Sequence, residues 1–269
     1  MRTLRFVFVF GAALVAALFI YAWQVEPKRL EVRRMTIGQG DAVLRVALVA
    51  DLHFGGIHLS PGRVREIVKR INREQVDVTL IPGDFINGHT ARAEMITEDL
   101  AEISDSFSAL QAINSRLVAT LGNHDTWHGV EAVRVSLERV GFVVLDNQSL
   151  RIDGFCYVGL ADSDTASPSR DAFNGCETGD TIIALMHSPD ARHLLPGNTA
   201  LAVAGHTHGG QVNLPILGRA VTSTQCGKPC AYGLIQNRPP LIVSSGIGTS
   251  ILPIRFRAAP EIVIIDLRE

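Results

Sequence analysis

The sequence predicts an α/β fold: a four-layer sandwich of two mixed β-sheets flanked by helices, preceded by one N-terminal transmembrane helix. Three observations carry this. Short β-branched apolar runs alternate with helical patterns from residue 42 to 141, short strands dominate from 142 onward, and residues 6–23 form an uncharged apolar run. Strand–helix alternation giving way to strands is the pattern of packed sheets covered by helices. With 46% apolar and 19% charged residues, the 269-residue chain has enough material for one large core or two small ones.

The N-terminal run, Phe6 to Trp23, would span ~27 Å as a helix, enough for a thin hydrocarbon core. Tyr21 and Trp23 fall at its carboxyl end, where amphipathic aromatics favour a membrane interface. A cleaved signal would have a shorter apolar region and a small-x-small site; here Ile20-Tyr21-Ala22 follows instead. A cleaved signal and a buried core helix are the alternatives to a single-pass anchor in the inner membrane. Arg2, Arg5 and the amine precede the run; Lys28, Arg29, Arg33 and Arg34 follow it, an excess of one that tilts the body toward the cytoplasmic face. Residues 1–24 are thus read as the anchor or an uncleaved signal, 25–41 as a linker with Pro27, Gly38 and Gly40, and 42–269 as the globular domain.

Within that domain Val43–Ala50 is a short apolar strand ending at Asp51. Pro61–Glu74 is a helix with Ser60 as N-cap and Pro61 at its first position. Val76–Ile81 is a buried strand ending at Pro82-Gly83-Asp84. Ala93–Ala112 is an amphipathic helix, and Arg116–Leu121 a strand ending at Gly122-Asn123-His124-Asp125. Val130–Val140 is a helix stopped by Gly141. Strands follow near 142–145, 149–152 and 155–160, then a Ser/Asp-rich loop, 162–179. Thr181–Met186 ends at His187, Ala200–Ala204 ends at Gly205-His206-Thr207-His208, and further strands fall near 231–235, 241–244 and 262–267.

Charge narrows the function. Residues 1–35 carry six basic and two acidic side chains, leaving 19 basic and 25 acidic in residues 36–269, a net of −6. An acidic body with only 6% aromatics offers neither an electrostatic footprint nor a stacking platform for nucleic acid. Cys156, Cys176, Cys226 and Cys230 could pair in an oxidising compartment or stay thiols in a reducing one. Cys226-x3-Cys230 lacks the second half of a zinc knuckle and reads as a structural or incidental pair.

Five apolar strands end in groups rich in Asp, His or Asn: Asp51-Leu52-His53, Gly83-Asp84, Gly122-Asn123-His124-Asp125, His187, and Gly205-His206-Thr207-His208. In α/β sheets ligands bind beyond the carboxyl ends of strands. Singly, each group is ordinary turn chemistry. Together they bring seven O/N donors and one further His to one cleft. Mixed O/N ligation without Cys suits Mn, Fe or Zn. Seven donors exceed one tetrahedral ion and suffice for two divalent metal ions sharing a carboxylate, the arrangement that activates water and clamps an in-line phosphoryl displacement.

This series resembles the calcineurin-like metallophosphoesterase superfamily over roughly residues 42–269. The closing stretch, Gly205-His206-Thr207-His208-Gly209-Gly210-Gln211, Tyr232-Gly233-Leu234, Gly246-Ile247-Gly248-Thr249-Ser250 and Leu252-Pro253-Ile254-Arg255-Phe256, is similar to its membrane-associated bacterial branch. That branch includes phosphodiesterases of the YaeI and YkuE type and a UDP-2,3-diacylglucosamine pyrophosphatase. The resemblance implies that Asp51, His53 and His208 hold one ion, Asp84 bridges both, and Asn123, His187 and His206 hold the other. It implies in-line attack by a water-derived hydroxide, with His124 stabilising the developing charge and protonating the leaving oxygen. Asp125 is a candidate to orient His124.

Outside the motifs, His58, His89, His128 and His193 read as loop or helix-surface residues. His89 and His128 follow motif positions closely enough to reach the cleft mouth, and Gln211 and Asn213 could orient ligands. Ile251–Arg257 mixes apolar and cationic groups that could rest on acyl chains and headgroups, or form an ordinary buried segment. The expected substrate is a lipid-linked or nucleotide-linked phosphodiester or pyrophosphate, with UDP-2,3-diacylglucosamine of lipid A biosynthesis the best named candidate. The alternatives are a broad-specificity phosphodiesterase or phosphatase outside the cytoplasm, and a metal-stabilised binding module without turnover. The last is disfavoured because His124 and all seven donors are present.

Overall fold

The computed structural model describes residues 2–88, 105–219, 221–236 and 239–269. Helix α1 covers Arg2–Ile20 and runs on through a π-helical turn, Tyr21–Val25, and a 3-10 turn, Glu26–Lys28. It is long and apolar enough to cross a membrane, and its apolar side chains from Phe6 to Ile20 are exposed, so it is not a core helix of the folded body.

Two six-stranded mixed sheets form the body. The first has the order β1 (Glu31–Ile37), β14 (Glu261–Arg268), β2 (Ala42–Leu48), β3 (Val78–Pro82), β4 (Arg116–Thr120), β5 (Phe142–Val144). The run from β2 to β5 is parallel, while β14 lies antiparallel to β2. The second has the order β12 (Gly233–Ile235), β13 (Leu241–Val243), β9 (Thr199–Ala204), β8 (Thr181–Met186), β7 (Phe155–Gly159), β6 (Gln148–Ile152), with β13, β9, β8 and β7 parallel. A separate hairpin pairs β10 (Asn213–Leu214) with β11 (Gly218–Arg219).

Period-two alternation assigns the faces. Leu44, Val46 and Leu48 of β2 point between the sheets, where they meet Tyr157, Ile183, Leu185, Leu201 and Val203; Ala47 and Val49 point outward, under the helices. Helix α2 (Pro61–Arg73) starts at Ser60, whose hydroxyl accepts the Arg63 N–H at 3.3 Å, and buries Val64, Ile67, Val68 and Ile71 at helical spacing. The outer face of the second sheet is covered differently. Two 3-10 turns, Arg170–Gly175 and Pro189–Leu194, supply Ala172, Phe173 and Ala191 there. A Cys156–Cys176 disulfide ties the 162–179 loop to β7, and Cys226 pairs with Cys230.

Two boundaries move. The 25–41 linker contains β1, paired in parallel with β14 along its whole length, and Arg33 meets Glu261 of that neighbouring strand at 3.2 Å. The helix expected from Val130 is present to Arg139, and a further short helix, 123–128, leads into it from the β4 turn across a break at Gly129 (φ 127°); the two together are α3, Asn123–Arg139. Of the 93–112 helix, residues 105–110 are helical, while 93–104 and His89 lie outside the described residues.

Candidate metal centre

Every predicted donor sits just past the carboxyl end of a parallel strand: Asp51 and His53 after β2, Asp84 after β3, Asn123 after β4, His187 after β8, and His206 and His208 after β9. The loops are laced together by backbone bonds: Asp51 N–H to the Gly83 carbonyl at 3.3 Å, His53 N–H to that of Asp84 at 3.0 Å, and Gly205 N–H to that of His187 at 3.0 Å. Asp51, His53, Asp84, His206 and His208 all have φ between 51° and 67°. Non-glycine residues rarely adopt this left-handed region, and such strain gathers at functional sites.

The donors form two groups that share Asp84. Ligand atoms of Asp51, His53, Asp84 and His208 lie within 4.8 Å of one another, as do those of Asp84, His187 and His206. In the first group the Nε2 atoms of His53 and His208 face each other at 3.1 Å. In the second, His187 Nε2 is 3.0 Å from His206 Nδ1, and Asn123 Oδ1 is 3.0 and 3.1 Å from these two nitrogens. Asp84 Oδ2 lies 3.6 Å from His53 Nε2 and 3.3 Å from His187 Nε2, between the groups. Its Oδ1 is fixed by the N–H of His124 at 3.0 Å.

The structure fits divalent cations on its own evidence of unmet polarity. Asp51 Oδ2 is buried without a hydrogen-bond partner, while its Oδ1 accepts the His206 N–H at 2.8 Å. A buried carboxylate oxygen left unpaired is costly unless something cationic meets it. Two glycines make room: a Cβ at Gly122 would collide with Asp84 Oδ1, and one at Gly246 (φ 67°) would stand 2.6 Å from Asp51 Oδ2.

Burial sets the protonation. It pushes the His53 imidazole down to about 3 and the Asp51 carboxyl up to about 7. Burial and the neighbouring His53 hold His208 well below its usual value; burial and His187 lower His206. His187 goes the other way. Burial opposes its charge, yet Asp84 and then Asp51 raise it well above 6.5, and burial of Asp84 is outweighed by His187, which takes that carboxyl below its ordinary range. Three imidazoles are therefore neutral and ready to ligate at pH 7, whereas His187 must shed a proton. Loading with Mn is expected to release about one proton, plus a fraction from Asp51, so affinity rises with pH until His187 is neutral. Titration calorimetry in two buffers of different protonation enthalpy reads this directly, and equal heats in both would contradict it.

Around the donors the structure adds residues that the sequence reading missed. Asp164 Oδ2 stands 3.3 Å from Nε2 of His206, a carboxylate behind a candidate ligand imidazole. Arg255 is fully buried: its guanidinium donates to the carbonyls of Ser245, Gly248 and Ala258 and stands 3.3 Å from His208 Nδ1. Burial lowers it to about 10, so it stays charged at neutral pH. Asp164 lies in a polar loop with no local signal, and Arg255 stands in the 251–257 segment, for which the sequence leaves a membrane-facing and a buried reading open.

Asp125 is placed otherwise than expected. Its carboxylate accepts the N–H groups of Asp84, Phe85, Ile86 and Gly122 at 2.9 to 3.1 Å, locking the β3 and β4 turns together, while His124 Nδ1 has the Gly88 carbonyl at 2.8 Å. Burial and Asp84 push the Asp125 carboxyl up and the N–H donors hold it down; a cradle of four donors suits the ionised form. Gln211 holds the loop at Ser250 and Leu252 rather than a ligand. Asn213 pairs through its backbone with Phe256, His58 caps the Pro253 carbonyl, His193 sits on that of Asp190, and His128 is buried in α3.

The donors open into a cleft of about 720 Å³ whose inner wall is Asp84, Asn123, His124, His206 and His208 and whose outer wall includes Trp127, Val221, Ile251 and Leu252. Two ligand groups sharing one carboxylate, at the strand ends of a two-sheet α/β sandwich, define a metal-dependent hydrolase. The chain belongs to the calcineurin-like phosphoesterases: residues 44–210 match that family, and the chain is a phosphoesterase hydrolase. It is 28% identical over 261 residues to an uncharacterized metallophosphoesterase of Aquifex aeolicus, covering 92% of this chain and 93% of that one. It is 27% identical to the metallophosphoesterase YkuE of Bacillus subtilis, covering 97% and 95%, and 24% identical to the phosphodiesterase YaeI of Escherichia coli, covering 93% and 92%. It spans 60% of the length of two Helicobacter pylori relatives.

Proposed function

We propose that the chain is a phosphodiesterase that carries two divalent ions, is anchored by α1 and acts outside the cytoplasm. The observation that carries the two-ion reading is Asp84 Oδ2, set between the two histidine pairs. Asp51, His53, Asp84 and His208 would hold one ion, and Asp84, Asn123, His187 and His206 the other. When bound, the ions supply Lewis acidity toward water and the phosphoryl oxygens. The chain supplies the rest. His124 donates its Nδ1–H to the Gly88 carbonyl, which leaves Nε2 as the proton carrier, beside Ser250 Oγ at 3.4 Å and on the cleft wall. A protonated Nε2 there can hand its proton to the departing alkoxide. Asp125 keeps the two turns in register, and Asp164 steadies His206.

The disulfides weigh against the cytoplasmic tilt of the charge count, because disulfides form and persist in oxidising compartments. They support the extracytoplasmic reading over UDP-2,3-diacylglucosamine, whose nucleotide headgroup belongs to the reducing side. The name of the Escherichia coli relative supports a diester. Mn-loaded full chain in detergent is expected to hydrolyse bis(p-nitrophenyl) phosphate, to lose this on chelation, and to release no UMP from UDP-2,3-diacylglucosamine. A carboxyl-terminal alkaline phosphatase fusion should be active. UMP release with an inactive fusion would restore the lipid A assignment.

A further inference from the structure

Where α1 ends, it is bonded to the rim of the cleft. The Ala22 carbonyl accepts the Arg255 N–H at 2.8 Å, Tyr21 packs edge-on against Phe256 with ring centres 6.4 Å apart, and buried Glu26 accepts the Ala258 N–H at 2.7 Å. The same short segment anchors the neighbouring loops. Val212 bridges to Phe256 at the base of the β10–β11 hairpin, Gln211 holds the Leu252 carbonyl at 2.9 Å, and His58 holds that of Pro253 at 2.8 Å.

From these anchored bases the loops put forward apolar side chains. Ile216 is 96% exposed, Ile251 82%, Ile57 75%, Leu217 66% and Leu252 57%. A soluble surface has no use for such a cluster. Four residues of chain reach at most about 14 Å, so Ile251 stays within that distance of Arg255, and Ile216 within it of Val212. Cations accompany the tips: Lys228 Nζ donates to the Leu217 carbonyl at 3.1 Å, and Arg257 is exposed.

We propose that this rim docks on a phospholipid bilayer, with Ile57, Ile216, Leu217, Ile251 and Leu252 entering the boundary between headgroups and acyl chains, and Lys228 and Arg257 at the level of the phosphates. The proposal rests on α1 spanning the membrane. If it does, Tyr21 and Ala22 lie at the interface, and the loops bonded to their neighbours lie within reach of it. Amphipathic surfaces of this kind sink ~5–10 Å into the headgroup region, and basic residues there gain from anionic lipid. The cleft then opens at headgroup level. A lipid-linked phosphodiester would lay its tail along Trp127, Val221, Ile251 and Leu252 while its phosphorus reaches the donors.

The test is nitroxide depth measurement on the full chain in phosphatidylcholine–phosphatidylglycerol vesicles, with the label carried by a genetically encoded ketone residue that spares both disulfides. Three positions are compared: Phe10 in α1, Ile216 at the hairpin tip, and Asp153, which pairs with Arg116 at the opposite, amino-terminal end of β4. Positions 10 and 216 are expected to shift from nickel-chelate toward oxygen accessibility on reconstitution, with 153 unchanged. A shift at 10 without one at 216 overturns the docking and leaves the span intact. No shift at 10 overturns the span and the docking with it.

Discussion

Replacing Asp84 by Asn is expected to lower turnover of an aryl phosphodiester about 10⁴-fold, roughly 5.5 kcal/mol of transition-state stabilisation, and to reduce the bound metal from two ions to one or fewer. The geometry makes this substitution unusually clean. Asp84 Oδ1 accepts the His124 N–H, so the amide oxygen of Asn takes that place. The amide nitrogen then occupies the Oδ2 position, between His53 and His187. It has two donors and no lone pair to offer, so the shared ligand vanishes with almost no change in volume. Fold should survive, because Asp125 still holds the turn around Asp84 and the amide oxygen keeps the His124 N–H bond. Metal analysis, turnover and circular dichroism on the same preparation decide it. Two ions per chain with more than a tenth of the activity would mean that Asp84 does not join the two groups.

The candidate ligands are legible in the sequence because each follows a recognisable strand end, so that strand order alone gathers them. Their conformation is not. The positive φ of Asp51, His53, Asp84, His206 and His208 depends on loops bonded to loops far away in the chain, as when Gly248 donates to the Asp51 carbonyl at 2.7 Å. Strand β1 is hidden for a similar reason. Glu31–Ile37 carries Glu and two Arg, which suit an edge strand but blur its alternation, and the partner of Arg33 lies 228 residues on. For Arg255 the sequence leaves a membrane-facing and a buried segment equally open, and for Asp125 it offers only the adjacent His124 as a partner. Each is buried among backbone partners, three carbonyls for the first and four N–H groups for the second, and three of the four N–H groups come from a turn some 40 residues away in the chain.

Replacing His124 by Ala is expected to cost on the order of 10²–10⁴ in turnover while both ions stay bound, the loss typical of a missing general acid. Its ring belongs to neither ligand group, and its contribution to Asp84 comes from the backbone N–H, which Ala retains. The loss should depend on the leaving group. An activated nitrophenolate departs without help, so bis(p-nitrophenyl) phosphate should lose least. A diester with an alkyl alcohol needs a proton and should lose most. His124→Gln separates position from proton transfer: it can hydrogen-bond but cannot carry a proton, and should recover little on the alkyl diester. If His124→Ala were to strip an ion, or if the loss were equal for both leaving groups, His124 would hold the metal site together rather than move a proton. If turnover on both substrates were unchanged, Nε2 would have no part in the reaction, and the proton would have to come from water admitted through the open cleft.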